Sequence, residues 1–274
     1  MIGQKQLLEI ISQQIELEEF PRFSIIVGPE GSGKKTLTMS IAYALDCQRV
    51  FIEPKVDAVR DMIHNAYVIS TPTMYVILDG NMSINAKNAL LKICEETPKN
   101  AYIVMLTSDS NTILDTLKSR AEMYHMQPYT PKELLEYANV SMDEEDIVVD
   151  LCETPGDVDK LVFTGVREFY DFVEKVVDNI AQVSGANALK ITDSIDVKNN
   201  DAEKYDMTLF VRAFKSVCGR EMKRAVAKND IEMQMYYSAG IKIATTTLNR
   251  MKVQGINRKS LLDIFILDIR KEWC

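Results

Sequence analysis

The chain has 274 residues, 46% of them hydrophobic and 26% charged, with a formal net charge of −8 and five cysteines. That balance argues against a protein that grips nucleic acid unaided, since neutralising phosphates takes a cationic excess. No apolar run approaches the roughly 18 residues of a membrane span. Cys47, Cys94, Cys152, Cys218 and Cys274 are dispersed with no CxxC pair, and His64 and His125 are the only histidines. Reduced thiols are expected, rather than a disulfide frame or a structural zinc site. The first twenty residues carry acidic side chains where a signal peptide would be apolar, so a cytoplasmic location is expected.

In chain order, short apolar runs predict five strands: 24–27 (SIIV), 50–53 (VFIE), 74–78 (MYVIL), 101–106 (AYIVML) and 122–126 (EMYHM). Continuous apolar strands alternating with helical stretches indicate a parallel sheet covered on both faces. Residues 131–165 read as short acidic helices, beginning at Thr130-Pro131-Lys132-Glu133. There Thr130 suits the N-cap, Pro131 the first helical position and Glu133 the return half of a capping box. Phe169, Phe172, Val173, Val176, Val177 and Ile180 form one helical stripe. Longer helical patterns cover about 204–228, 230–251 and 258–271, with breaks at 199–200, 229–230 and 255–257. No strand comparable to the first five is expected in this half.

Two segments carry chemistry. Residues 28–36 read GPEGSGKKT directly after a strand. Gly28, Gly31 and Gly33 let backbone N–H groups turn inward around a phosphate, the next helix offers its N-terminus, and Lys34 reaches the β- and γ-phosphates. A Gly-rich turn without a ligand is the competing reading. The position after Lys34 should carry a hydroxyl for Mg²⁺; here it is Lys35, and Thr36 follows one residue later. An ammonium cannot ligate a cation, so ATP is the expected cofactor and Mg²⁺ is in doubt. The second segment, MYVILDGN, ends an apolar strand at Asp79, as in a Walker B motif, but Gly80 stands where a water-orienting Glu is needed. Asp79 as a helix-capping residue remains open.

Residues 79–98, DGNMSINAKNALLKICEETP, resemble the segment after Walker B in bacterial clamp-loader subunits. AYIVMLTSD resembles the sensor 1 strand of that family, and TILDTLKSRAEMYHM its Ser-Arg-Cys motif. VDAVRDMIHNAYVI resembles the helix before Walker B, and GQKQLLEIISQQI the opening. The motifs extend over about residues 1–165; beyond that the likeness rests on helical character. Lys35, Gly80 and Gly156, the last at the position that resembles the sensor 2 arginine, are departures from motor subunits that bring the chain nearest the delta-prime, or stator, subunits of DNA polymerase III. The family's four-cysteine module after the P-loop helix is absent, and Ala121 replaces the Cys of Ser-Arg-Cys. These differences imply a divergent lineage, such as a viral or mobile-element copy.

The resemblance implies an α/β AAA+ P-loop domain over 1–128, a helical lid over 129–165 and an all-α collar over 166–274. It implies Arg120 as a finger donated in trans, Thr107 as the sensor 1 residue, and weak or no intrinsic hydrolysis. The implied partners are other subunits of a hetero-oligomeric ring, a sliding clamp and, through the assembly, primed DNA; no membrane is involved. Arg120 as a surface ion-pair residue and Thr107 as a strand-end turn residue are the plainer readings. Two other functions compete: an active motor subunit in which Thr36 or water replaces the missing metal ligand, and a scaffold that kept the shape alone. Arg212, Lys215, Arg220, Lys223, Arg224 and Lys228 could make a basic face for DNA, although a solvated helix accounts for them equally well.

Overall fold

The computed structural model describes residues 2–78, 82–196, 204–253 and 255–273. The chain divides into two compact units, Met1–Tyr129 and Thr130–Cys274.

In the first unit, strands β1 (Phe23–Val27), β2 (Gln48–Ile52), β3 (Thr73–Leu78), β4 (Ala101–Thr107) and β5 (Glu122–His125) form one sheet in the order β2-β3-β4-β1-β5. Every pairing is parallel. Helices α1 (Lys5–Glu16), α2 (Lys34–Ala44), α3 (Val56–Val68), α4 (Ile84–Glu95) and the short α5 (Asp115–Lys118) connect and cover the strands. Because side chains alternate along a strand, each central strand feeds two cores. Ile25, Tyr75, Ile77, Ile103 and Met105 pack with Val59, Met62, Leu90 and Ile93 of α3 and α4. Ile26, Met74, Val76, Val104 and Leu106 pack with Leu7, Ile11, Leu37 and Ile41 of α1 and α2. Burial on both faces is why these strands read as unbroken apolar runs. Edge strand β2 differs: Val50 and Phe51 are exposed. It starts two residues earlier than its apolar pattern predicts, because polar Gln48 and Arg49 pair with Thr73 and Met74.

The second unit holds α6 (Pro131–Ala138), α7 (Glu145–Leu151), α8 (Pro155–Thr164), α9 (Val166–Asn179), α10 (Gly185–Lys190), α11 (Met207–Ala227), α12 (Ile231–Met251) and α13 (Arg258–Trp273). The Thr130–Glu133 capping box forms, and Thr154 and Asp157 make a second at the start of α8. On α9 the stripe Phe169, Val173, Val176, Val177 and Ile180 is buried. Phe172 joins an aromatic cluster with Tyr205 and Phe210, ring centroids 4.7 and 6.1 Å away. Trp273 closes the far end, stacked 4.0 Å from Tyr236 and donating from Nε1 to the Tyr236 carbonyl at 2.8 Å. Gly240 is required there, since a Cβ would lie 2.7 Å from the indole.

One feature departs from the expected all-helical second half. Residues Ile195–Asp196 and Tyr205–Asp206 form a two-residue parallel pairing. Beside it, Asp206 caps α11, accepting from the N–H groups of Thr208 and Leu209, and binds Lys160 of α8 at 3.0 Å. The expected break at 199–200 lies outside the described residues.

Candidate nucleotide site and arginine edge

The loop after β1 is built by close packing. Gly28 N–H donates to the Thr107 carbonyl at the end of β4 (3.1 Å), which fixes the loop to the C-terminal rim of the sheet. A Cβ on Gly28 would meet Met126 Cβ and Cγ at 2.7 Å and Ser32 Oγ at 2.9 Å, so glycine is required. Gly31 and Gly33 have φ of 77° and 86°, the left-handed region that glycine enters at low cost. Gly33 is the N-cap of α2, and Lys34 is its first residue. The loop therefore aims the unsatisfied N–H groups of a helix start at the rim where open parallel sheets bind ligands.

Lys34 is folded onto its own loop, donating from Nζ to the carbonyls of Gly28 (2.5 Å) and Pro29 (2.7 Å). Burial pulls its pKa down to about 8; the Glu30 carboxylate opposes this, and the Lys35 charge adds to it. Ser32 is 1% exposed, and its carbonyl accepts from Tyr129 Oη at 2.8 Å. Among the described residues its Oγ has no hydrogen-bond partner. Lys35 and Thr36 are exposed on the first turn of α2.

The position after Lys34 offers Mg²⁺ no ligand. The side chain next to Lys34 is an ammonium, with donors and no acceptor. Thr38, further along the helix, spends its hydroxyl on the Lys35 carbonyl at 2.7 Å. Asp79 and Gly80, the expected Walker B pair, lie outside the described residues; the strand leading to them ends at Leu78, in register with Leu106.

Thr107 is buried at the same rim, paired with Val27. Its Oγ1 donates to the Asp109 carbonyl (3.0 Å) and accepts from the Asp109 N–H (3.1 Å), and it lies 3.4 Å from Thr112 Oγ1. Its hydroxyl is thus engaged in the turn that follows the strand.

Arg120 stands at the opposite rim. Ser24 pairs with Glu122 where β1 and β5 begin, and Arg120 sits in the turn just before. Four or five residues of strand, about 15 Å, separate that turn from the phosphate loop. Arg120 Nε donates to Glu95 Oε1 at the end of α4 (2.9 Å), and Nη2 donates to the same oxygen. Nη1 donates to the Thr116 carbonyl (2.6 Å) and to Ser119 Oγ (3.4 Å). The Arg120 side chain is one-third exposed. It borders an open cleft of about 500 Å³ that is also lined by Arg22, Phe23, Glu95, Thr97 and Glu122. The sequence offers Glu95 only as a capping or interface residue; its pairing with Arg120 escapes it because 25 positions separate the two and no periodicity links them.

In the second unit, Gly156 lies in the first turn of α8, inside the Thr154–Asp157 capping box. The three arginines of 212–228 are paired. Arg212 donates to the Leu151 carbonyl, Asp157 and Glu153 at 2.9–3.0 Å. Arg220 bridges Glu174 and Glu221, and Arg224 also meets Glu221.

A five-stranded parallel sheet in this order, with a phosphate loop between its first strand and the following helix and a helical region after it, defines an AAA+-type P-loop fold. Across 96% of this chain and 99% of its own, the structure of a DNA polymerase III gamma subunit-related protein from Thermotoga maritima matches with a TM-score of 0.54 and 17% identity. Within that class the chain resembles clamp-loader subunits. Residues 53–130 match the family described as "DNA polymerase III, delta subunit". The chain is 25% identical over 277 residues to replication factor C small subunit 1 of Pyrobaculum islandicum, covering 88% of this chain and 82% of that protein. It is 24% identical over 182 residues to DNA polymerase III subunit tau of Bacillus subtilis. That alignment takes in 55% of this chain and spans about a third (32%) of the tau subunit.

Proposed function

We propose that this chain is a non-motor, delta-prime-like subunit of a hetero-oligomeric clamp loader, one that helps load a sliding clamp onto primed DNA. In this reading residues 129–165 serve as a lid and residues 166–274 as the assembly collar. The chain hydrolyses ATP weakly or not at all, because its phosphate loop has Lys35 where a metal-binding hydroxyl is needed and its lid has Gly156 where an arginine would meet the phosphates.

The observation that carries the reading is the position of Arg120. The side chain lies at the rim opposite its own phosphate loop, which supports a role on a neighbour's nucleotide rather than its own. A guanidinium brought to a neighbour's γ-phosphate stabilises the charge that spreads over the equatorial oxygens in the transition state. The complex reconstituted with its neighbouring subunits tests this. Arg120→Ala should assemble normally and lower ATP turnover by about 10³-fold or more. Arg120→Lys should restore little, since a point charge lacks the planar fork. An unchanged rate would leave the chain with an architectural role alone.

A further inference from the structure

We infer that the phosphate loop takes a nucleotide polyphosphate without a divalent cation, the Lys35 ammonium standing in for the metal's charge. The inference deepens the reading above, which already treats this loop as non-hydrolytic. The backbone of the loop is intact: Gly28 is packed so closely by Met126 and Ser32 that only glycine fits, Gly31 and Gly33 are left-handed, and α2 begins at the loop's end. Its lining is suited to an anion. Lys34 Nζ has only loop carbonyls as its partners among the described residues, bonds that a phosphate would replace. Within the same loop Ser32 Oγ is buried without a hydrogen-bond partner among the described residues, 2.9 Å from the point where a Gly28 Cβ would sit.

Lys35 follows Lys34 on the first turn, close enough for its charge to depress the Lys34 pKa. An anion bound at the loop would lower the repulsion between the two ammoniums. A Mg²⁺ ion bound to the same phosphates would meet the Lys35 charge instead of a hydroxyl oxygen, and like charges a few ångströms apart oppose binding. The loop is thus complementary to free ATP, ADP or pyrophosphate rather than to their magnesium complexes.

Calorimetry on the full chain tests this with ATP, ADP and inorganic pyrophosphate, each in EDTA and in excess Mg²⁺. The wild type should bind ATP in EDTA at least as tightly as with Mg²⁺. Lys35→Ala should weaken binding in EDTA by about tenfold, the loss of one charge-assisted contact. Lys35→Thr should reverse the preference, binding tighter with Mg²⁺ than without. Both substitutions are at an exposed side chain, and the Lys35 carbonyl that Thr38 uses survives either change; a thermal melt verifies folding. Tenfold tighter wild-type binding with Mg²⁺, or no binding of any of the three anions in either buffer, would overturn the inference. Neither result touches the trans role of Arg120, which the turnover of the assembled complex reads separately.

Discussion

Glu95 bears directly on how Arg120 would work. The free chain's guanidinium gives two N–H groups to Glu95 Oε1 and two to Thr116 and Ser119. An arginine so engaged must share or surrender its carboxylate before it can serve a phosphate. The Glu95 and Arg120 side chains are 50% and 33% exposed. Exposed ion pairs of this kind are worth about 0.2–1 kcal/mol. Glu95→Gln should therefore lower the chain's own stability by less than about 1 kcal/mol. Thr116 and Ser119 still hold Nη1, so the arginine keeps its direction. In the assembled complex the same 1 kcal/mol is no longer spent releasing the finger, and a barrier lowered by that amount raises turnover up to about fivefold. The assay is steady-state ATP turnover of the reconstituted complex with wild type, Glu95→Gln, Arg120→Ala and the double variant. Glu95→Gln should be faster than wild type, and the double variant should match Arg120→Ala. If Glu95→Gln instead falls as far as Arg120→Ala, the carboxylate supports the finger and the reasoning that makes it a restraint is refuted.

Two further outcomes follow from the geometry. Burial lowers the Lys34 pKa to about 8 from its ordinary 10.5, so between those values the unfolded chain binds the extra proton and stability rises with pH. Lys34→Met should lack that part of the rise between pH 8 and 10 in thermal melts, and identical pH profiles would contradict it. Arg212→Ala removes three charge-assisted bonds that tie α11 to the end of α7 and the start of α8, at a cost of about 1–3 kcal/mol in urea unfolding. A loss below about 0.5 kcal/mol would mark Arg212 as an ordinary surface cation.

The central strands were legible because burial on both faces demands unbroken apolar runs. The capping box at Thr130 was legible because its chemistry is local, and the start of β2 was not, because an exposed edge imposes no apolar pattern. Along the chain the phosphate loop is continuous, so its glycines and Lys34 could be read directly. What surrounds it could not: Met126 and Tyr129 reach the loop through the return of β5, nearly a hundred positions away. The cations of 212–228 illustrate the same limit. Their spacing fits a basic face or a solvated helix equally, and the acids that pair with Arg212 and Arg220 come from the turn before α8, from α8 and from α9 as well as α11.

A sheet whose strands all run one way has two unlike rims, and here the phosphate loop occupies one and Arg120 the other. Where subunits are joined loop to arginine all in one sense, the contact is heterologous, like carriages coupled front to back, each offering a different face to its two neighbours. With the role proposed for Arg120, this chain would couple productively through its arginine rim alone. It would therefore stand at one end of a row of such contacts.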